Sequence, residues 1–472
     1  MSAALLGSPR LRRGDLSRPP VRIVHLGLGA FHRAHQAWYT ARAADASEWG
    51  IAAFTGRGPE TARVLAEQDG VYTLVERGAA HDRFEIIGSI VETRDASETT
   101  ALRRLVSDPA VTVVTLTVTE KGYRLGPDGT LDPGDADVRA DIATLQAASR
   151  GGGVPDGALR TMPARLFWAL DGRFALRDDA IIAVVSCDNL PGNGAAARAA
   201  IEGVATVVHG SVPAWLDAGV DWIETSIDRI TPRTTTRDLA IVEENCRYVD
   251  RSPVVTEPFS SWILSGEFRA ARPSWETAGA EFVEELAPFE SRKLWMLNGA
   301  HSLLAYAGIL RGHDTVAGAM ADPICASMVN DLWDLDESIL RTFDAELAVD
   351  EYRAALVARF ENPAIVHQLR QIAADGSVKL RVRIADPILR ARAAGGAGDA
   401  GLRVIAAWIR FVRDELARGH AIDDVAADEL ARRAASEDPI AALLGMIASE
   451  LADDPHSLAR VRAQVGEGVA IG

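Results

Sequence analysis

One segment in the first half of the chain, residues 111–119, reads VTVVTLTVT and consists almost entirely of β-branched residues. Such a run is typical of a parallel strand that is buried on both faces of a sheet. Shorter apolar runs occur at 21–26, 50–55 and 180–186, and stretches with a helical pattern, such as 32–45, lie between them. Strands that alternate with helices predict βαβ units, and therefore an α/β, doubly wound sheet of the Rossmann type.

The second half of the chain has a different composition. From about residue 285 the β-branched runs disappear, and segments rich in Ala, Leu, Arg and Glu replace them. These segments cover 324–348, 350–360, 400–418, 424–435 and 439–452. Because 472 residues exceed one ordinary core, we predict two domains. The α/β domain covers residues 1–285, and an all-α C-terminal domain covers residues 286–472.

Charge and cysteine content restrict the classes of partner. With 50 basic and 66 acidic residues the formal net charge is −16, which argues against nucleic acid and anionic membranes, since both are polyanions. No apolar run approaches the ~18 residues of a membrane span. Cys187, Cys246 and Cys325 form no disulfide framework and the N-terminus lacks a signal-peptide core, so we expect a cytoplasmic protein. The oligomeric state stays open, a monomer included.

A glycine turn follows the first predicted strand and precedes a helix. It comprises Gly27, Leu28, Gly29, Ala30 and Phe31. In the dinucleotide-binding pattern, glycines at these places let the backbone approach a pyrophosphate at a helix N-terminus. Since His32 occupies the place of the third glycine, the pattern by itself leaves an ordinary strand-to-helix turn open.

Two residues give opposite predictions about whether the cofactor is NAD or NADP. The acidic residue usual at the end of the second strand is absent, and Arg57 there would accept a 2′-phosphate. Asp69 is an alternative ligand for the ribose of NAD. We therefore expect NAD and leave NADP open. His32 and His35 form an HxxH pair without a third ligand at suitable spacing, so we expect no metal.

Three polar residues, Lys293, Asn298 and His301, interrupt an apolar helical run in the second half. At ~100° per residue they fall near ~0°, ~140° and ~80°, within one face of an α-helix. Burying such groups without partners costs about 2 kcal/mol or more each, so they contact one another or a ligand. A base, an amide and an imidazole suit carbonyl–alcohol chemistry, provided that burial lowers the pKa of the lysine. A core helix with a snorkelling lysine is the alternative.

Three further residues are candidates from their positions. Asn189 follows the strand at 180–186, where ligands bind in α/β sheets, although an Asx turn explains it equally. Asp228 lies in the segment DRITP, which also fits a surface ion pair at a turn. Lys379 lies in DGSVK and would bind substrate hydroxyls or a carboxylate, or remain an exposed turn residue.

Taken together, these segments resemble the polyol-specific long-chain dehydrogenase family. The resemblance runs from about residue 21 to at least residue 387, and its longest stretches are VHLGLGAFHRAHQAWYT, SCDNLPGNG, KLWMLNGAHSLLAYAG and RFENPAIVHQLRQIAADGSVK. It implies a dinucleotide-binding Rossmann-type domain, a helical substrate-binding and catalytic domain, and metal-independent hydride transfer with nicotinamide.

The same resemblance implies roles for individual residues. Lys293 matches the general base, and Asn189 and Asn298 match the two amides that hold the developing alkoxide. Asp228, His301 and Lys379 match residues that contact the substrate or support the lysine. The glycine turn would hold the pyrophosphate, and Asp69 matches a residue near the adenosine ribose.

One position bears on the substrate. Members that oxidise mannitol carry Arg where this chain has Gln371, and the surrounding HxxxQIAxDGSxK pattern is similar to members that reduce fructuronate. SCDNLPGNG and DRITP are more similar to the mannitol members. We therefore expect hydride transfer between a secondary alcohol of a C6 polyol or aldonate and the matching 2-keto sugar.

Two other functions remain open. A sugar-phosphate dehydrogenase of the mannitol-1-phosphate type would use a basic pocket. The chain offers Arg292, Lys293, Lys379, Arg381 and Arg383 for it. A non-catalytic dinucleotide-binding sensor would leave the Lys293 helix as plain core.

Overall fold

The computed structural model describes residues 8–56, 58–177, 180–343 and 345–466. The chain separates into two compact units, an N-terminal unit that ends at Leu286 and a C-terminal unit that begins at Ala287. Within the described residues, helices that combine the length and the apolar character of a membrane span are absent.

The N-terminal unit contains the strands. Their bounds are β1 Val21–Leu26, β2 Gly50–Phe54, β3 Tyr72–Arg77, β4 Asp82–Ile87, β5 Ile90–Arg94, β6 Val113–Leu116, β7 Ile182–Ser186, β8 Val220–Asp228, β9 Val254–Thr256, β10 Ser261–Ser265 and β11 Glu281–Val283. The main sheet has the order β11-β10-β8-β7-β6-β1-β2-β5, and a small second sheet has the order β4-β3-β9. From β8 to β5 the neighbouring strands of the main sheet are parallel, whereas β10 runs antiparallel to β8.

Helices connect these strands. Their bounds are α1 Ala30–Ala34, α2 Gln36–Arg42, α3 Glu60–Ala66, α4 Thr99–Ser107, α5 Ala136–Ser149, α6 Met162–Leu176, α7 Asn193–His209, α8 Trp215–Gly219 and α9 Thr236–Cys246. Successive residues of a strand pack on opposite sides of the main sheet. Val24 and Leu26 belong to one hydrophobic cluster and Ile23 to another. Because both faces are covered, the central strands consist mostly of buried apolar residues, and the parallel order of the main sheet confirms the predicted Rossmann-type fold.

Two local predictions differ from the structure. The run at 111–119 forms a strand only over Val113–Leu116, and the backbone adopts a positive φ of 70° at Thr119. The hydroxyl of Thr117, just after the strand, donates to the carbonyl of Gly27 at 2.9 Å. The helix predicted at 32–45 is two short helices, since the backbone at His35 leaves the helical region (φ −121°, ψ −90°).

A pair of stacked imidazoles fills the space between β1 and α1. The rings of His25 and His32 lie 3.3 Å apart and nearly parallel, and both residues are fully buried. His25 is held by the hydroxyls of Thr115 and Thr117, at 2.8 and 3.0 Å from its two ring nitrogens. Burial lowers the pKa of His25 to about 3, so the folded protein keeps this ring neutral.

The C-terminal unit is helical, as predicted. Its helices are α10 Ala287–Arg292, α11 Ala300–Leu310, α12 Val316–Met320, α13 Pro323–Leu340, α14 Val349–Phe360, α15 Leu369–Ala373, α16 Gly376–Leu380, α17 Asp386–Ala393, α18 Asp399–Ala417, α19 Ala427–Ala434, α20 Pro439–Ile447, α21 Ser449–Ala452 and α22 Pro455–Gly466. The largely buried α11 lies at the centre, and α13, α15 and α18 pack around it.

Two π-helical turns interrupt these helices. The first, Lys293–Gly299, lies between α10 and α11, and the second, Arg381–Ala385, lies between α16 and α17. The two turns pack against each other, and a Cβ at Gly299 would come within 3.2 Å of the carbonyl oxygen of Arg383. Glycine therefore permits the close approach. Single π turns are rare in helices and frequently mark functional sites.

We expect the stability of the N-terminal unit to depend on His25 in mild acid. Below pH 6.5 the unfolded chain binds a proton at this residue that the folded protein does not bind above about pH 3, so stability falls as the pH falls between these values. His25→Gln should reduce the slope of the unfolding free energy by up to ~1.4 kcal/mol per pH unit. Urea unfolding at pH 7 and pH 5 measures this slope. The exposed His81→Gln is the control, and an equal change in both variants would contradict the prediction.

Candidate functional site

In the N-terminal unit the candidate site lies where three neighbouring parallel strands end. Leu26 of β1 pairs with Leu116 of β6, which pairs with Ser186 of β7. The turns that follow these strands are therefore neighbours at one edge of the sheet. In open α/β sheets this is the edge at which ligands bind.

Gly27 shapes the turn after β1. Its φ is +114°, and a Cβ there would overlap the carbonyl oxygen of Thr117. The backbone N–H groups of Gly27 and Leu28 both donate to the carbonyl of Phe54, at 2.9 and 2.8 Å. Gly29, in contrast, has extended backbone and open space, since a Cβ there would be 3.5 Å from the nearest atom. The predicted glycine turn is thus a close crossing of two backbone segments.

Two cavities, each of about 640 Å³, lie on the two sides of this turn. Both volumes are typical of small-molecule sites. The residues that line both cavities are Gly27, Gly29, Thr117, Thr119 and Lys121. The first cavity extends past the end of β2 at Phe54, and the second extends towards Phe31 and Asn189. The structure therefore brings together the glycine turn and Asn189, as the sequence predicts.

The first cavity is strongly basic. Four cationic side chains line it, namely Lys121, Arg124, Arg160 and Arg165, and its described lining contains no acidic side chain. Arg124 pairs with Asp135 at 2.7 Å and Arg160 with Asp137 at 3.1 Å, outside the lining. Such a surface attracts a polyanionic ligand.

Lys121 is a residue that the sequence reasoning missed. It is exposed, it lines both cavities, and it makes no hydrogen bond or ion pair with the described residues. A sequence signal was available, because the chain contains only three lysines among its 50 basic residues. The other two are Lys293 and Lys379, both of which are candidate site residues.

Asp188 is a second missed residue, and it fixes the turn that carries Asn189. Its buried carboxylate accepts hydrogen bonds from the N–H groups of Val118 and Thr119, at 3.1 and 2.7 Å, and from the hydroxyl of Tyr123 at 2.8 Å. These bonds join the turn after β7 to the turn after β6. Burial raises the pKa of Asp188, while the three donors oppose that shift.

Asp228 and Arg229 do not form the surface ion pair at a turn that the sequence left open as an alternative. Asp228, the last residue of β8, is 9% exposed, and Arg229 is buried. Arg229 forms an ion pair with Glu76 at 2.8 Å and donates to the carbonyl of Ala34 at 2.6 Å. The surface ion-pair interpretation is therefore wrong for this segment.

Asp69 lies away from the two cavities. Its side chain is 41% exposed, 3.7 Å from Arg12, and the adjacent Gly70 packs against the carbonyl of Ile90, at the amino end of β5. The glycine turn lies at the opposite, carboxyl end of the strands. The prediction that Asp69 binds the ribose therefore gains no support from this geometry. Arg57, the candidate for a 2′-phosphate, lies outside the described residues.

In the C-terminal unit, Lys293 and Asn298 lie on the first π-helical turn. A π-helix bonds residue i to residue i+5, so these two residues, five positions apart, are one turn apart. In the α-helix assumed from the sequence they would be separated by ~140°. Both side chains are partly exposed, whereas His301 is buried on the following α-helix.

His301 lies in a cluster with His367, the two ring centroids being 5.0 Å apart. His301 Nε2 and His367 Nδ1 are buried and have no hydrogen-bond partner among the described residues. Burial lowers the pKa of both histidines, and the neighbouring Arg359 lowers each further. Both rings are therefore neutral hydrogen-bonding groups at physiological pH.

The remaining predicted residues of this unit lie nearby in sequence on α15 and α16. Gln371 is exposed on α15. Lys379, on α16, donates to the carbonyl of Ala374 at 2.6 Å. Burial, and then Arg383, lower the pKa of Lys379, while three aspartates oppose that shift.

Two of the basic residues that a sugar-phosphate dehydrogenase would use are already bound to other groups of the protein. Arg292 is buried, donates to the carbonyl of Leu347 and lies 4.3 Å from the ring of Tyr352. Arg381 is in an ion pair with Glu450 at 3.0 Å. Within the described ranges the structure contains no group of three metal-ligating side chains.

Known proteins resemble the chain over most of its length. The model of the mannitol dehydrogenase Rossmann domain matches residues 21–277, and that of the mannitol dehydrogenase C-terminal domain matches residues 285–467. The D-mannonate oxidoreductase of Escherichia coli K12 is 34% identical, over 87% of this chain and 84% of that protein. The D-arabinitol 4-dehydrogenase of Ralstonia nicotianae is also 34% identical, over 91% of each.

A solved structure agrees with these matches. Mannitol 2-dehydrogenase of Pseudomonas fluorescens, in a ternary complex with NAD and D-mannitol, has a TM-score of 0.76 and 29% sequence identity to this chain. The match covers 98% of this chain and 94% of that one.

Gly27 provides a test of the close crossing at the glycine turn. We expect Gly27→Ala to lower the free energy of unfolding by about 2 kcal/mol or more, because the new Cβ meets the carbonyl of Thr117 and a positive φ disfavours alanine. Gly29→Ala, which has room for a Cβ, is the matched control and should change stability by less than about 1 kcal/mol. Chemical denaturation measures both, and similar losses would contradict this account.

Proposed function

This chain belongs to the mannitol dehydrogenase family, and we propose that it is an NAD-dependent oxidoreductase acting on a linear polyol or aldonate. It would transfer hydride between a secondary alcohol of that substrate and the matching ketone. The observation that carries the proposal is the π-helical turn, which places a lysine and an amide one turn apart. Since the three cysteines are free, we place the protein in the reducing cytoplasm.

We assign the dinucleotide to the N-terminal unit. The residues present fit it, because the crossing at Gly27 exposes backbone between two cavities, one of which is basic. The pyrophosphate would lie at the residues shared by both cavities, where Lys121 supplies a positive charge. When bound, NAD accepts hydride at its nicotinamide ring. The NAD complex of the Pseudomonas relative supports this choice of cofactor, and NADP remains to be tested.

Lys293 is proposed as the general base. In its neutral form it takes the hydroxyl proton as hydride leaves the substrate carbon, and in the reverse direction the protonated amine returns that proton. Proton transfer by a positioned side chain typically contributes about 10²–10⁴-fold to the rate. The π-helical turn suits this role because it keeps Lys293 partly exposed while Trp295, Met296 and Leu297 are buried.

Asn298 is proposed as an amide donor to the substrate oxygen as negative charge develops, and Asn189 has the same role in the family pattern. A preorganised donor of this kind is typically worth about 3 kcal/mol in the transition state. We assign Asp228, His301, Lys379 and Gln371 to substrate binding or to support of the lysine. The neutral, buried ring of His301 fits a hydrogen-bonding role rather than a charged one.

The two other functions have weaker support. A phosphorylated substrate would require basic residues of which Arg292 and Arg381 are already engaged by other groups. A sensor without catalysis gives no reason for a π-helical turn at Lys293.

Substitution of Lys121 tests the dinucleotide site. We expect Lys121→Met to raise the dissociation constant for NADH about tenfold, because a phosphate contact is lost, and to weaken its dependence on salt. Quenching of protein fluorescence by NADH measures the affinity. Arg150→Met removes the same charge from an exposed helix end and is the control. Equal affinities for the Lys121 variant and the wild type would refute the assignment.

Substitution of Lys293 tests the chemistry. Lys293→Ala should lower kcat at neutral pH by about 10²-fold or more, with NADH affinity retained, because the general base is lost. Stopped-flow hydride transfer with D-mannonate or D-mannitol gives the rate. A kcat near that of the wild type with every active substrate would show that Lys293 is only a core residue.

A further inference from the structure

Arg383 differs from most partly buried arginines of the chain in having no carboxylate partner among the described residues. Its Nη1 donates to Ser302 Oγ at 3.2 Å and to the carbonyl of Asn298 at 3.4 Å. Its Nε and Nη2 make no hydrogen bond to the described residues. By comparison, the carboxylate of Asp221 binds Arg269 at 2.6 Å, and that of Asp322 binds Arg311 at 2.6 Å.

This guanidinium is on the second π-helical turn, which packs against the first at Gly299. Its bonds to Ser302 and to the backbone of Asn298 fix it beside the segment that carries the proposed base and amide donor. It is also close enough to His301 to lower the pKa of that imidazole. Arg383 is therefore next to Asn298 and His301, two residues of the proposed substrate site within the C-terminal unit.

The groups around Arg383 supply no compensating negative charge. His301, more than nine-tenths buried, leaves Nε2 without a partner, and His367 does the same with Nδ1. The desolvation that lowers the pKa of Arg383 is opposed only by Tyr306, a neutral residue at physiological pH. An uncompensated, partly desolvated guanidinium beside unpartnered polar atoms is suited to an anionic ligand.

Lys379, the other candidate for an anion, is less suitable. Its ammonium group already donates to the carbonyl of Ala374 at 2.6 Å. Asp375, Asp423 and Asp424 also act on it with negative charge. Arg383 has no such neighbours, and its planar fork matches a carboxylate with two parallel hydrogen bonds.

We propose that Arg383 binds the carboxylate of the substrate, and that the substrate is therefore a linear polyhydroxy acid of the aldonate class rather than a neutral polyol. This inference rests on the proposed hydride-transfer function and names its substrate class. An aldonate and the polyol of the same configuration differ only at one terminal carbon, which is carboxylate in one and hydroxymethyl in the other. Arg383 would distinguish that terminus, while Lys293 acts on the alcohol being oxidised.

The test uses two such pairs with the full-length protein and NAD, D-mannonate against D-mannitol and D-arabinonate against D-arabinitol. For the wild type, kcat/KM should be higher for an acid than for its polyol. Arg383→Met should lower kcat/KM for that acid about 10- to 100-fold, mainly through KM, and lower the value for the polyol far less. Arg383→Lys, which keeps the charge without the fork, should recover part of the loss.

Arg381→Met is the matched control. It removes an arginine two positions away on the same π-helical turn, from an ion pair with Glu450, and should leave the acid-to-polyol ratio unchanged. Thermal unfolding of each variant verifies that it is folded. An Arg383 variant that loses both activities in equal proportion would assign Arg383 a structural role and overturn the inference.

The remaining outcomes separate the inference from the function on which it rests. A wild type whose kcat/KM for the polyols equals that for the acids would overturn the carboxylate site and leave the hydride-transfer function intact. A wild type that oxidises none of the four would contradict the proposed function. Calorimetric titration with D-mannonate then tests Arg383 independently. Binding that Arg383→Met abolishes supports the carboxylate site, and absence of binding overturns it.

Discussion

The packing of the two π-helical turns against each other is the constraint that places Arg383 beside Asn298 in the helical unit. A Cβ at Gly299 would lie 3.2 Å from the carbonyl oxygen of Arg383, which is tighter than most Cβ contacts, so glycine favours this close packing of the two backbones. On one turn, Lys293 and Asn298 come one turn apart. On the other, Arg383 is held beside the backbone of Asn298. A lysine and an amide on one turn and a guanidinium on the other are thus positioned by the packing of two π-helical turns.

In the N-terminal unit, a glycine likewise permits a close approach of two backbone segments. Gly27 crosses the backbone at Thr117 where a Cβ would overlap, and the two cavities open on either side of that crossing. The buried carboxylate of Asp188 then joins the neighbouring turn, which carries Asn189, to the same place. The turns at this edge of the sheet are held by a close backbone contact and by a buried carboxylate that accepts hydrogen bonds, rather than by long side chains. Such rigid placement lowers the cost of ordering a ligand's polar groups.

The success and failure of sequence reasoning can be traced to individual residues. The β-branched run at 111–119 predicted a buried parallel strand, since strand composition depends on burial on both faces. It did not predict that the strand ends at Leu116, because the residues that follow the strand form long-range contacts, such as the bond from the hydroxyl of Thr117 to Gly27, 90 positions away. Lys121 was overlooked although the scarcity of lysine in the chain was visible. Arg383 resembled any other arginine in a basic segment, because the sequence does not record which arginines lack a carboxylate.

The sequence by itself determined the α/β and all-α halves, the glycine turn and the polar run at Lys293, since periodicity and composition are local properties of a chain. Tertiary structure decided the rest. It placed Asp69 at the amino end of the strands, buried Arg229 against Glu76, and replaced an α-helical turn at Lys293 with a π-helical one. These outcomes depend on which distant backbone and charged groups come into contact, and only the packed fold brings those groups together.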